Sequence, residues 1–212
     1  MIRIGIYNNK GGCGKSVASI NIAHAMSQAG KRVLVVDCDG QRNTFRFFSD
    51  EPDDGSFRRT RYDNIDIMCH KAYLPDAYDY AILDLPPALN ANTKKILSKC
   101  DYVFVPIELG TFAISGIANV TETIAATKTR FGGCFVNKFD RNNPSDYELD
   151  KMLRKTLVNK VMVTRIPNSR VIKNSISYRQ TAFEYMKWTS GAKAYTTLAY
   201  EIMGICNKGG LE

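Results

Sequence analysis

Two hydrophobic rhythms alternate along the chain. Short runs that are apolar nearly throughout predict strands at Ile2–Tyr7, Val33–Asp37, Ile65–Met68, Tyr80–Asp84, Tyr102–Ile107, Cys134–Asn137 and Val161–Ile166. Between them, apolar positions recurring at helical spacing predict helices at Ser16–Ala29, Ala91–Ser98, Ser115–Thr129, Ser145–Leu157 and Gly191–Gly204. Strands apolar at successive positions are strands covered on both faces, and strand–helix alternation builds parallel βαβ units. The expected fold class is therefore α/β: a doubly wound, mostly parallel sheet with helices on both faces. Ser49–Arg61 is polar and turn-rich and reads as a surface loop. With no repeat or linker in the pattern, residues 1–208 are expected to form one domain. Residues 209–212 read as a disordered tail in which Leu211-Glu212 is a cloning remnant.

Three strand ends carry chemistry. The first strand runs into Asn9-Lys10-Gly11-Gly12-Cys13-Gly14-Lys15-Ser16, with a helix starting at the serine. A glycine-rich turn between strand and helix lets backbone N–H groups approach phosphate oxygens, and the helix N-terminus adds its positive end. In that frame Lys15 neutralises phosphate charge and the Ser16 hydroxyl takes a magnesium position, with Gly11, Gly12, Cys13, Gly14 and Val17 completing the nucleotide contacts. The second strand ends in Asp37-Cys38-Asp39 and the fourth in Asp84-Leu85-Pro86-Pro87, acids at strand C-termini where open α/β sheets bind ligands. Asp84 is placed to hold magnesium through water.

Lys10-Gly11-Gly12-Cys13-Gly14-Lys15-Ser16 departs from the usual phosphate-loop spacing by an early lysine and resembles the deviant Walker A box of the ParA/MinD ATPases. The resemblance implies that Lys10 reaches the ATP of a partner across a nucleotide-sandwich dimer. Asp37-Cys38-Asp39-Gly40-Gln41-Arg42-Asn43 is similar to the family's D-x-D-P-Q-G-N box, with Gly40 for proline and Arg42 for glycine. By that likeness Asp39 orients the attacking water and Asp37 supports the magnesium side. Asp84-Leu85-Pro86-Pro87 resembles D-[TC]-P-P with Leu85 in place of a small residue. Asn137 corresponds to the residue that reads adenine, and Pro167 to the loop closing over the base. The implied cofactors are ATP and Mg²⁺.

Composition narrows the class. No run approaches the roughly 20 apolar residues of a membrane span, and a cytoplasmic, nucleoid-associated protein with no membrane partner is expected. Six cysteines include no C-x-x-C pair and read as buried thiols, and His24 and His70 as helix surface or core filler. The net charge of +8 is uneven: residues 1–150 hold 18 basic and 18 acidic side chains, and residues 151–212 hold 11 and 3. A basic region on a neutral body suits a polyanion. Arg165, Arg170, Lys173, Arg179, Lys187 and Lys193 are the candidate DNA contacts. Together with the resemblance, they imply the partition branch of the family: an ATP-dependent homodimer on nonspecific double-stranded DNA, stimulated by a small centromere-binding adaptor. Two rival readings are a positioning ATPase for another cargo and a nucleotide-switched scaffold with weakened hydrolysis, to which Gly40, Arg42 and Leu85 would belong.

Overall fold

The computed structural model describes residues 1–70, 74–110 and 113–209. Eight strands and eight helices follow one another as β1 (Ile2–Ile6), α1 (Lys15–Gln28), β2 (Val33–Asp37), α2 (Asn43–Phe48), β3 (Arg58–Arg59), β4 (Ile65–Cys69), β5 (Tyr80–Asp84), α3 (Ala91–Leu97), β6 (Tyr102–Glu108), α4 (Ala113–Ala126), β7 (Arg130–Phe139), α5 (Pro144–Thr156), β8 (Val161–Pro167), α6 (Arg170–Ser177), α7 (Ala182–Tyr185) and α8 (Ser190–Lys208). The sheet order is β3-β4-β2-β5-β1-β6-β7-β8, and every pairing except β3 with β4 is parallel.

Because β2 and β5 are buried at every position, their alternate side chains feed two cores. One holds Ile4, Ile6, Val33, Val35 and Ile82 with residues of α1, α2, α7 and α8. The other holds Leu34, Val36, Ala81 and Leu83 with residues of α3, α4 and α5. Pairing of Asp37 with Asp84 across β2 and β5 sets the two acids side by side at one end of the sheet, the end at which β1 delivers the glycine-rich turn. The outer edge of β8 is covered by α8, whose Glu201 carboxylate accepts the N–H groups of Val163 and Thr164, each at 2.9 Å.

All seven expected strands and five expected helices are present, with ends shifted by a few residues. The largest shift is in β7, expected at Cys134–Asn137 and extending from Arg130 to Phe139 because it pairs with β6 from Arg130 to Asn137 and with β8 as far as Phe139. Ser49–Arg61 is a loop except for β3, which turns back antiparallel onto β4. Three short helices, α2, α6 and α7, were not anticipated. Gly209 caps α8 in the left-handed conformation, so the helix runs up to the expected tail, whose residues 210–212 lie outside the described ones.

Candidate nucleotide and magnesium site

The turn between β1 and α1 owes its shape to two glycines with positive φ, Gly12 at 73° and Gly14 at 91°. Cys13 between them keeps a negative φ, and such alternation is the backbone pattern of an anion-binding nest. Gly14 has a second reason to lack a side chain, since a Cβ there would overlap the Asn137 amide nitrogen. Helices α3, α5, α6, α7 and α8 begin with a side-chain cap from Asn90, Asn143, Ser169, Thr181 and Thr189 respectively. In contrast, α1 begins at Gly14 with no side-chain cap and no acid in its first turn. Its positive end is thus left to a ligand anion.

Side chains grip the carbonyls of this loop. Lys15 Nζ donates to the Lys10 carbonyl at 3.2 Å, and the Cys13 thiol donates to the same oxygen at 3.3 Å. Asn137 Nδ2 donates to the Cys13 carbonyl at 2.7 Å, and Lys138 Nζ donates to the Gly12 carbonyl at 2.7 Å. Burial pushes the Cys13 thiol pKa up, against the opposing pull of Lys15 and Lys138, so this cysteine is an inert packing group. The Lys10 side chain is exposed.

Beside the loop, Asp84 is 1% exposed and accepts the hydroxyls of Thr44 at 2.6 Å and Ser19 at 3.5 Å. Burial pushes its pKa up to about 6, against the opposing pull of the Ser16 and Thr44 hydroxyls. Asp37 is fully buried, and its two oxygens accept the N–H groups of Asp39 at 2.9 Å and Phe45 at 2.8 Å, so it works as a remote cap for α2. Burial also raises its pKa. Asp39 is half-buried, and its Oδ1 accepts the Gln41 N–H. Two carboxylates with a serine hydroxyl form a hard-oxygen set suited to a magnesium ion that keeps waters and phosphate oxygens as its other ligands.

A cavity of about 520 Å³ opens on the other side of the loop, lined by Gly14, Val17, Asn137, Pro167, Lys173 and Tyr195 among others. Its size falls in the range of small-molecule sites, roughly 300–1,000 Å³. It brings Val17, expected among the loop's nucleotide contacts, together with Asn137 and Pro167, expected at the base.

The chain matches the family model for the CobQ/CobB/MinD/ParA nucleotide binding domain over residues 4–184. It belongs to that family. The ParA/MinD relatives include the chromosome-partitioning ATPase Soj of Thermus thermophilus, 26% identical over 95% of both chains. The chromosome partitioning protein ParA of Caulobacter vibrioides is 25% identical over 94% of this chain and 93% of its own. Among solved structures, MinD of Pyrococcus horikoshii with Mg-ADP superposes with a TM-score of 0.83 at 16% identity, covering 99% of this chain and 98% of its own. A putative plasmid partition protein of Borrelia burgdorferi bound to AMPPNP gives 0.75 at 18%, covering 98% of both. The fold is thus the P-loop fold of the ParA/MinD family, and the family is one of nucleotide-binding ATPases.

Two of the departures from the family boxes, Arg42 and Leu85, have structural reasons. Arg42 sits at φ 56° before α2, a left-handed position natural to glycine. Its guanidinium bonds the Asp37 carbonyl at 3.3 Å and pairs with Asp53 at 3.4 Å, which offsets that strain. Leu85 is fully buried in the α3–α5 core and lies against Gly5, so it is a packing residue. Thr44, Lys138 and Glu108 at the site went unnoticed in the sequence. Only Thr44, directly after the Asp37–Asn43 box, had a local signal.

The basic residues divide. Arg165 projects to the α5 side, the face opposite α8, where it and Arg154 bond the buried Asp150 and its guanidinium lies 5.2 Å from the Phe139 ring centroid. Arg179 pairs with Asp50. Arg170, Lys173, Lys187 and Lys193 are exposed, Lys173 at the mouth of the nucleoside cavity and Lys187 over Trp188. Of the six expected residues, Arg165 and Arg179 are thus engaged in ion pairs while both stay partly exposed.

Proposed function

We propose that the protein is a partition ATPase that binds ATP and Mg²⁺, dimerises on the nucleotide, rides on nonspecific DNA and is released when a small centromere-binding adaptor stimulates hydrolysis. The observation that carries it is the phosphate loop: a nest braced from β7 beside an uncapped helix, with Lys15 folded into the loop and Lys10 exposed beside it. Likeness to Soj and ParA over nearly the whole chain supports the partition branch.

In this reading the cavity takes the nucleoside, and the Asn137 amide, its nitrogen committed to Cys13, offers its oxygen to a base amino group. Ser16 and Asp84 hold magnesium, the latter through water, with Asp37 fixing the strand end behind them. Magnesium, when bound, neutralises phosphate charge. Lys15 and the α1 N-terminus bind the β- and γ-phosphates, Lys10 meets the partner's nucleotide, and Asp39 positions the water. Little more than positioning and charge compensation is needed for phosphoryl transfer. Arg170, Lys173, Lys187 and Lys193 are the DNA contacts retained, with Arg165 and Arg179 in supporting ion pairs.

The test is binding to arbitrary-sequence duplex with ATP, with ADP and without nucleotide, across a salt series. Tight, salt-sensitive binding with ATP alone supports the reading, because phosphate contacts release counterions. Binding indifferent to nucleotide, or none, overturns the DNA-riding part. Asp39→Ala is expected to dimerise with ATP and lose turnover, and Lys10→Ala to lose the dimer; light scattering and phosphate release read both.

A further inference from the structure

Two consecutive residues of β7 hold two consecutive carbonyls of the phosphate loop. Asn137 takes Cys13 and Lys138 takes Gly12, both at 2.7 Å. A trans peptide is one rigid plane in which the C=O of a residue and the N–H of the next point in opposite directions. Fixing the Gly12 carbonyl toward β7 therefore turns the Cys13 N–H away from it, and fixing the Cys13 carbonyl turns the Gly14 N–H likewise. These are the amides that the alternating φ signs at Gly12, Cys13 and Gly14 gather into a nest.

Lys138 itself is held. Its Nζ also bonds Glu108 Oε2 at 2.9 Å, and Glu108 is the register partner of Asn137 on β6. Its backbone lies at φ 55°, a left-handed conformation costly for lysine. Such strain concentrates at functional sites. The Lys138–Glu108 pair is 41% and 35% exposed, and exposed pairs add little to stability. Held between Glu108 and the Gly12 carbonyl, the ammonium acts on the loop through the direction of its hydrogen bond.

We infer that Lys138 is a positioning residue for the β-phosphate: bridging Glu108 and the Gly12 carbonyl, it orients the amide nest before nucleotide arrives. The inference rests on the nucleotide-binding reading above and adds to it a group outside the glycine-rich box.

The test is calorimetric titration of ADP and of AMP, each with magnesium, into the full-length wild type and two variants. Lys138→Met keeps the length of the stem and removes the donor. It is expected to weaken ADP about tenfold, the scale of one charge-assisted hydrogen bond, and to leave AMP, which lacks the β-phosphate, within about twofold. Glu108→Gln keeps an acceptor for Lys138 and is expected to hold ADP within about twofold of wild type. Unchanged ADP affinity in Lys138→Met overturns the inference, as does an equal loss of ADP and AMP, the mark of a general structural role. A severalfold gain of ADP affinity in Glu108→Gln also overturns it, because that is what a bare charge attracting phosphate would give. Failure of wild type to bind ADP overturns the nucleotide reading and the inference with it, a result distinct from the other three.

Discussion

The two ends of the chain handle positive charge in opposite ways. At the phosphate loop Lys15 and Lys138 are tethered to backbone carbonyls, Lys15 to that of nearby Lys10 and Lys138, from β7, to that of Gly12. In the C-terminal third Arg170, Lys173, Lys187 and Lys193 stand on exposed positions of α6 and of the α7–α8 region. Tethered cations suit a ligand that must be held in one geometry. Cations standing in solvent suit one that is met in many registers and is attracted mainly through its field. Arg165 shows that the border between these regimes does not follow sequence, since it belongs by position to the second group and by its bond to buried Asp150 to the first.

The comparison breaks most severely at Asp84. Asp84→Asn keeps the shape but turns one of the two accepting oxygens into a donor and removes the charge proposed to face magnesium, and phosphate-release assays should show turnover reduced by about a hundredfold or more. Next is Gly14→Ala, which forces a side chain into left-handed backbone and into the Asn137 amide. A cost of about 2–4 kcal/mol is expected in urea unfolding, together with weakened ADP binding.

A third experiment separates the two kinds of cation. Arg165→Ala leaves Asp150 with Arg154 alone and should lower stability by about 1–3 kcal/mol. The pair Lys187→Ala with Lys193→Ala should stay within about 0.5 kcal/mol of wild type. The same pair should reduce the salt slope of DNA binding by about 0.9 per lost phosphate contact, and a slope unchanged by it would remove these lysines from the interface.

A more gradual effect is that of pH through His24, which bonds Thr181 at 2.6 Å and packs on Tyr62 and Phe183. Burial lowers its pKa from 6.5 to about 4 in the folded protein. The unfolded chain therefore binds the extra proton first, so this group's stability contribution is complete above pH 6.5 and declines as pH falls toward 4. Asp84, raised to about 6, acts in the opposite sense over the overlapping window. The clean measurement is thus the difference between wild type and His24→Gln, which should shrink by about 1–2 kcal/mol from pH 7 to 4.

Legibility followed the range of the interactions. Strands buried on both faces and the glycine-rich turn are local patterns, and both stood out in the sequence; so did Asp37 and Asp84, because strand ends mark themselves. Helix α2 did not, since it starts from Arg42 in a glycine-like conformation and is capped by Asp37 from another element. Helix α7 had a readable start, Thr181 with Glu184 three residues on, and the Glu184 N–H does bond the Thr181 hydroxyl. Only its four-residue length hid it. The grip of Lys138 on Gly12 and the capture of Arg165 by Asp150 depend on sheet order and on which face a β8 residue takes, information that periodicity does not carry.

Glu201 has a consequence for a molecule proposed to gather in numbers on one DNA. A parallel sheet leaves its last strand with unpaired amides, and neighbouring copies at high local concentration can extend such an edge into a shared sheet. By occupying the Val163 and Thr164 amides with a carboxylate, α8 supplies the partner that another chain would otherwise provide. At these two amides the edge is closed to a neighbouring copy.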